Sequence, residues 1–158
     1  MFYNKEDENL QNKYIEYLKL TSSLSRLFSD NLAPYLYYRA AENIFCLAFD
    51  AENLSRSDIS IDSKKSGIGF GLKTFLHGNG KTFQKVAEFN AIRDEYAKKL
   101  DYEIVNFISQ ARNKRLDICL EGYGVTSLVY HCLTRSNNLI SIYEFHMDKI
   151  QIDKIRNI

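Results

Sequence analysis

The sequence predicts a mixed α+β or α/β domain in which helices flank a central mixed β-sheet. Apolar residues recur at steps of three and four over the first third of the chain, which is the spacing of amphipathic helices. Shorter runs further along alternate apolar and polar residues, as half-buried strands do. The length of 158 residues fits one domain, and the predicted order is α-α-β-β-α-α-β-β-β, in which helices cover a sheet.

Two helices are predicted in the first third. Residues 5–28 carry an apolar stripe on an otherwise polar helix. Pro34, the only proline, suits the first turn of a second helix over residues 34–49, which is apolar on most sides and should be central to the core. Its polar exceptions, Arg39 and Glu42, are three residues apart, so they either pair with each other or leave Glu42 directed into a site built by the following strands.

A β-hairpin is predicted next. Residues 58–62 alternate in the manner of a strand, and the SKKSG segment at 63–67 has the composition of a turn. Residues 68–73 then alternate again, which predicts the second strand of the hairpin.

Two glycines distinguish the second strand of this hairpin. Gly69, Gly71 and Lys73 share one face because side chains alternate along a strand. The glycines either leave room for a ligand or a close-lying backbone, or they mark a bulge or tight packing.

The second half of the chain is predicted to supply two helices and three strands. Helices are expected over residues 81–100 and 103–113. Strands are expected over 115–120, 126–133 and 139–145, with the last two forming an antiparallel pair. The apolar and abrupt C-terminal end raises the hypothesis that these 158 residues are the N-terminal part of a longer chain.

Composition excludes several classes of function. A net charge of +1 gives no overall electrostatic attraction to nucleic acid, so any DNA contact must come from local patches. The three cysteines form no CxxC pair and are expected to be buried free thiols, and the three histidines lack zinc-site spacing. The N-terminus lacks a secretory signal and no run approaches about 18 apolar residues, so we expect a cytoplasmic protein.

One set of residues carries candidate chemistry. Hydrolysis of a phosphodiester with a divalent metal ion needs carboxylates on rigid elements and a positive group beside the phosphate. Side chains on the same face of neighbouring strands lie about 5 Å apart. Asp58 or Asp62 on the first strand of the hairpin could therefore converge with Lys73 on the second.

This arrangement resembles the core of the PD-(D/E)XK nuclease superfamily, notably type II restriction endonucleases. The likeness spans Glu42 to Glu88 and follows the order acidic helix residue, strand aspartate, short hairpin, strand lysine and a helix carrying Gln or Glu. It implies a restriction-endonuclease-like core, Mg²⁺ (or Mn²⁺) as cofactor and DNA as substrate. A homodimer would follow, since cutting both strands of a duplex calls for two active sites.

By this resemblance, Asp62 or alternatively Asp58 is the metal-binding strand aspartate and Lys73 acts near the attacking water. The match departs from the family at Gly71, because the sequence has GLK where the family has (D/E)XK. The missing metal-binding carboxylate would then come from Glu42 or Glu88. Gln84, one helical turn before Glu88, could hold a water molecule or a phosphate oxygen.

Six polar residues flank the proposed site and are the candidates for contact with DNA phosphates. They are Lys64, Lys65, His77, Asn79, Lys81 and Lys85. The competing hypothesis is a non-catalytic module that binds nucleic acid or protein through the same hairpin.

Overall fold

A five-stranded mixed sheet with flanking helices forms the domain, which confirms the predicted fold class. The computed structural model describes residues 1–54, 59–78 and 89–156. Within these ranges the main elements are α1 (Glu8–Ser25), α2 (Tyr38–Phe49), β1 (Glu52–Asn53), β2 (Ser63–Lys65), β3 (Ile68–Leu76), α3 (Asp101–Gly122), β4 (Ser127–Ser136) and β5 (Leu139–His146). Short 3₁₀ helices cover Tyr3–Lys5, Asn90–Glu95 and Ile152–Lys154.

The strands lie side by side in the order β1-β2-β3-β4-β5. The pair β3 and β4 is parallel, and the other neighbouring pairs are antiparallel. A parallel pair needs a crossover connection, and α3 lies in the stretch of chain that joins these two strands. The predicted antiparallel pairing of the last two strands is confirmed.

Each face of the sheet has its own apolar core. On one face, α1 and α2 pack against β3 and β4 around an aromatic cluster in which the Phe45 ring lies 5.0 Å from that of Phe70 and 4.9 Å from that of His131. On the other face, Leu116 and Cys119 of α3 join a second apolar cluster. Side-chain alternation therefore directs Phe70 toward one core and its neighbours Gly69 and Gly71 toward the other.

The hairpin of β2 and β3 is present, but its first strand lies later in the chain than predicted. Residues 59–62 are not a strand, and the strand instead begins at Ser63, inside the predicted turn. The turn itself is formed by Ser66 and Gly67, which both have positive φ, at 49° and 76°. Two consecutive residues with positive φ suit the right-handed twist of a tight hairpin.

The predicted strand over residues 115–120 is wrong. A single helix, α3, runs from Asp101 to Gly122 and includes the predicted helix over 103–113. Leu116 and Cys119, one helical turn apart, are buried, whereas Ile118 is 48% exposed. The helical face therefore determines which of these residues enter the core.

The other helices differ from prediction mainly at their ends. Helix α1 begins after Asp7, whose carboxylate accepts the Asn9 N–H at 2.8 Å as an N-cap. Helix α2 begins at Tyr38 rather than at Pro34. Of the helix predicted over 81–100, residues 81–88 lie outside the described residues, and Asn90–Glu95 form a 3₁₀ helix.

Candidate active site

Asp62 and Lys73 lie in contact at the edge of the hairpin. The Lys73 ammonium lies 3.3 Å from Asp62 Oδ2, and the Leu72 N–H donates to the same oxygen at 2.7 Å. Their side chains are 19% and 24% exposed, so the pair is partly desolvated and still reachable from solvent. The structure therefore brings Lys73 together with Asp62, one of the two aspartates predicted to converge with it; the other, Asp58, lies outside the described residues.

Backbone hydrogen bonds fix the position of Asp62 from two sides. Its N–H donates to the Phe70 carbonyl at 2.7 Å, and its carbonyl accepts the Leu54 N–H at 2.9 Å. Asp62 is thus tied to β3 although it precedes the first residue of β2. A carboxylate held by a rigid backbone and by charge-assisted hydrogen bonds is oriented before any ligand arrives.

The glycine face beside Lys73 is closely packed. A methyl group at Gly69 would lie 2.9 Å from Leu128 Cδ2 and 3.1 Å from Ile61 Cδ1. At Gly71 it would overlap the Met147 methyl group and lie 3.3 Å from the Ser60 carbonyl oxygen. The glycines therefore mark tight packing, and the alternative of open room for a ligand at these positions is wrong.

Glu42 is buried on α2 and forms an ion pair with Arg39. The Arg39 Nη1 lies 2.7 Å from Glu42 Oε2, so the pairing that the three-residue spacing offered is formed. The charge of Glu42 is therefore balanced by Arg39 on the same helix.

The hairpin lysines proposed as DNA contacts are held in ion pairs. Lys64 pairs with Glu52 at 3.3 Å, and Lys65 pairs with Glu6 at 2.7 Å. His77 is exposed just beyond β3, and its backbone N–H donates to the Arg135 backbone carbonyl at 2.7 Å. A phosphate would have to compete with a carboxylate for each lysine, whereas the His77 side chain lies at the surface.

Six of the predicted site residues lie outside the described residues. They are Asp58, Asn79, Lys81, Gln84, Lys85 and Glu88. Within the described ranges, no three or more His, Cys, Asp or Glu side chains gather as a metal-binding group. Mg²⁺ is commonly held through one or two carboxylates together with water and substrate phosphate, and Asp62 fits one such position.

A buried chain of hydrogen bonds outside this site was missed by the sequence reasoning. Tyr14 Oη lies 2.9 Å from His131 Nε2, and His131 Nδ1 lies 2.8 Å from Glu144 Oε1. Glu144 Oε2 also accepts the Tyr3 N–H at 3.0 Å. Glu144 is the one acidic residue in β5 and shares its inward face with Ile140 and Ile142, which is the signal that could have revealed a buried partner.

Removing the Tyr14 hydroxyl should destabilise the protein. In Tyr14→Phe the ring remains, but buried His131 loses its partner at Nε2, which costs about 1–3 kcal/mol. Urea unfolding monitored by circular dichroism measures the change. Tyr17→Phe on the same helix is the control and should alter stability by less than about 0.5 kcal/mol. Equal stability of wild type and Tyr14→Phe would contradict this role for the hydroxyl.

All three cysteines are free and buried, as predicted. Burial raises the pKa of Cys46 and of Cys132 to about 11, and the nearby carboxylates of Glu42 and Asp62 add to the rise at Cys46. Burial also raises the pKa of Cys119. Since the thiolate is the reactive form, these thiols are protected from reagents near neutral pH.

The raised thiol pKa values predict a loss of stability in alkali. The pKa of Cys46 and of Cys132 is about 11 in the folded protein, against 9.0 for an unperturbed thiol. The protonated thiols therefore stabilise the fold fully below about pH 9, and this stabilisation is lost as the pH rises through about 11. Wild type should therefore lose more unfolding free energy between pH 8 and 10.5 than Cys46→Ala/Cys132→Ala. Urea denaturation at the two pH values measures both. The same pH dependence in the two proteins would refute this assignment.

Comparison of the chain with protein-family models, curated proteins and solved structures finds no match. Among the described residues, no helix is both long and apolar enough to cross a membrane. The fold defines an α+β protein with a partly buried Asp–Lys pair beside its hairpin.

Proposed function

We propose that this protein is a Mg²⁺-dependent endonuclease that hydrolyses DNA phosphodiester bonds, of restriction type and related to the PD-(D/E)XK nucleases. The observation that carries the proposal is the contact between Asp62 and Lys73, two residues that the chain brings together at the hairpin. A cytoplasmic location belongs to the proposal, because buried free thiols suit a reducing compartment.

The chemistry of the pair supports this reaction class. Asp62 offers a carboxylate whose orientation is set by the Leu72 N–H, and Lys73 places a positive charge beside it. When bound, Mg²⁺ would polarise the scissile phosphate as a Lewis acid. Lys73 would bind a phosphate oxygen and offset the negative charge that develops there, which lowers the barrier most effectively in a partly desolvated site.

The order of the elements also supports the relationship. An acidic residue on α2 is followed by Asp62, by the hairpin of β2 and β3 and by Lys73 within β3. After α3, the chain returns as β4, parallel to β3. These elements follow the order of the resemblance as far as the strand lysine; the part that carries Gln84 and Glu88 lies at 79–88, outside the described residues.

The proposal needs a second carboxylate, because Gly71 replaces the acidic residue of the family motif. Met147 fills the space beside Gly71, and Arg39 balances the charge of Glu42. Under the proposal, Glu88 completes the site, or Glu42 does so after exchanging its arginine partner. Gln84 would then orient a water molecule or a phosphate oxygen.

A second candidate function is a non-catalytic module that binds nucleic acid or protein. The tight packing at Gly71 favours it, because the position of the family's acidic ligand is filled by a methionine side chain. Calorimetric titration with Mg²⁺ and Mn²⁺ separates the two functions. Metal binding that is lost in Asp62→Asn supports the nuclease, and the absence of any metal binding supports the module.

Incubation of the purified protein with unmethylated supercoiled plasmid and Mg²⁺ tests the proposed activity. We expect nicked and linear products that are absent when EDTA replaces Mg²⁺. Intact plasmid at enzyme concentrations in excess of DNA, across several plasmid sequences and with Mn²⁺ as well, would overturn the nuclease proposal.

A further inference from the structure

The outer edge of β5 is open along the described part of the chain. β5 is the last strand of the sheet, and it pairs only with β4. The Met147 N–H donates to the Leu128 carbonyl at 2.9 Å, which sets the alternation of hydrogen-bonded pairs along this ladder. By that alternation, the N–H and C=O groups of Ile140, Ile142 and Glu144 point away from β4, toward the open edge.

This edge lacks the features that normally prevent strands from pairing. The β5 sequence, LISIYEFH, contains no proline and no lysine, and its register with β4 runs without a bulge from Leu139 to His146. Its single carboxylate, Glu144, is buried and already bonded to His131. A second strand could therefore pair with β5 without meeting a charge that opposes it.

Apolar side chains flank the open edge on both faces of the sheet. Leu139, Tyr143 and Phe145 occupy alternate positions on one face and are 55%, 53% and 49% exposed. On the other face, a groove of about 450 Å³ between α1 and β5 is lined in part by Ile140 and Ile142. A strand added here would cover apolar surface above and below its backbone.

We propose that two copies of this protein associate through their β5 edges, in antiparallel orientation about a two-fold axis at Ile142. In this register the outward backbone groups of Ile142 face those of the second copy, and those of Ile140 face those of Glu144. Leu139 of each copy then lies opposite Phe145 of the other. The strand is self-complementary in this arrangement, as a two-fold interface requires.

This inference rests on the proposed nuclease function, for which the family resemblance implies a homodimer, and it names the surface through which the two copies would associate. A second copy is the occupant we propose, because this register places Leu139 opposite Phe145 and opposes no like charges. The resulting sheet would run through both subunits as ten strands. The test measures mass and not cleavage, so its failure is distinguishable from failure of the nuclease proposal.

Sedimentation equilibrium at about 50 μM protein tests the interface with two double variants. The wild type should have twice the 18.4 kDa mass of the chain. Leu139→Lys/Phe145→Lys places like charges opposite each other across both symmetric pairs. It should raise the dissociation constant of the dimer at least about tenfold and shift the measured mass toward that of a monomer. Leu139→Lys/Phe145→Glu places opposite charges at the same positions and should bind more tightly than the double-lysine variant.

A control variant replaces exposed apolar residues on α1, away from the β5 edge. Leu20 and Leu24 are exposed on α1, at 61% and 48%, so Leu20→Lys/Leu24→Lys should remain dimeric. Circular dichroism of every variant establishes that it is folded. A monomeric wild type, a dimer lost in the α1 control, or equal affinities for the two β5 variants would each overturn the proposal.

Discussion

Asp62→Asn is expected to lower the rate of DNA cleavage by at least about 100-fold, the effect typical of removing one essential electrostatic group from an active site. Asparagine keeps the size of the side chain and can still accept the Leu72 N–H. It removes the negative charge that lies 3.3 Å from the Lys73 ammonium and that would bind Mg²⁺. The measurement is the rate of plasmid nicking with enzyme in excess over DNA.

Asp117→Asn provides a matched control for this substitution. Asp117 also forms an ion pair with a lysine, Lys149, but that pair is exposed and lies on α3 and the C-terminal segment. The control should cleave at the wild-type rate, because exposed ion pairs contribute little to stability. Undiminished cleavage by Asp62→Asn, with a folded protein by circular dichroism, would remove Asp62 from the proposed chemistry.

Gly71→Asp introduces the acidic residue that the nuclease motif carries at this position and is expected to destabilise the protein by at least about 2 kcal/mol. The new side chain would overlap the Met147 methyl group and approach the Ser60 carbonyl oxygen. Overpacking costs about 1–3 kcal/mol, and a buried carboxylate without suitable partners adds a comparable penalty. Urea denaturation measures the loss.

Two variants separate packing from charge at this position. Gly71→Asp/Met147→Ala removes the overlapping methyl group and should be less destabilised, relative to Met147→Ala, than Gly71→Asp is relative to wild type. Gly122→Asp places the same residue at the end of α3, where nothing lies within 4 Å, and should cost less than about 1 kcal/mol. If Gly71→Asp were as stable as the wild type, the packing of Met147 against Gly71 would not limit the size of the side chain at this position, and the prediction would be wrong.

Periodicity predicted most elements of the fold because their apolar residues obey one spacing. It failed over residues 115–120, where two spacings coexist. Leu116, Ile118 and Leu120 alternate as in a strand, while Leu116 and Cys119 lie one helical turn apart. Only tertiary packing decides between them, and it leaves Ile118 exposed and buries Leu116 and Cys119 in the core of α3 and β4.

The candidate site was predictable where it depends on local pairing. Asp62 directly precedes β2 and Lys73 lies in the neighbouring strand β3, so the two residues are brought together by a pairing between segments close in sequence. The neighbour of Gly71 could not be predicted in this way, because Met147 arrives from beyond β5. The same limit applies to Tyr14 and His131, which are 117 residues apart and meet only when α1 packs on the sheet.

The cleavage rate of Lys73→Met, compared with its affinity for DNA, tests the central claim most directly. Methionine keeps much of the apolar stem and removes the charge that would act on the phosphate. Nicking should fall by at least about 100-fold while DNA affinity, measured by fluorescence anisotropy in Ca²⁺, changes less than about fivefold. Wild-type nicking by Lys73→Met, or no nicking by the wild type itself, would contradict the assignment of Asp62 and Lys73 as the active site.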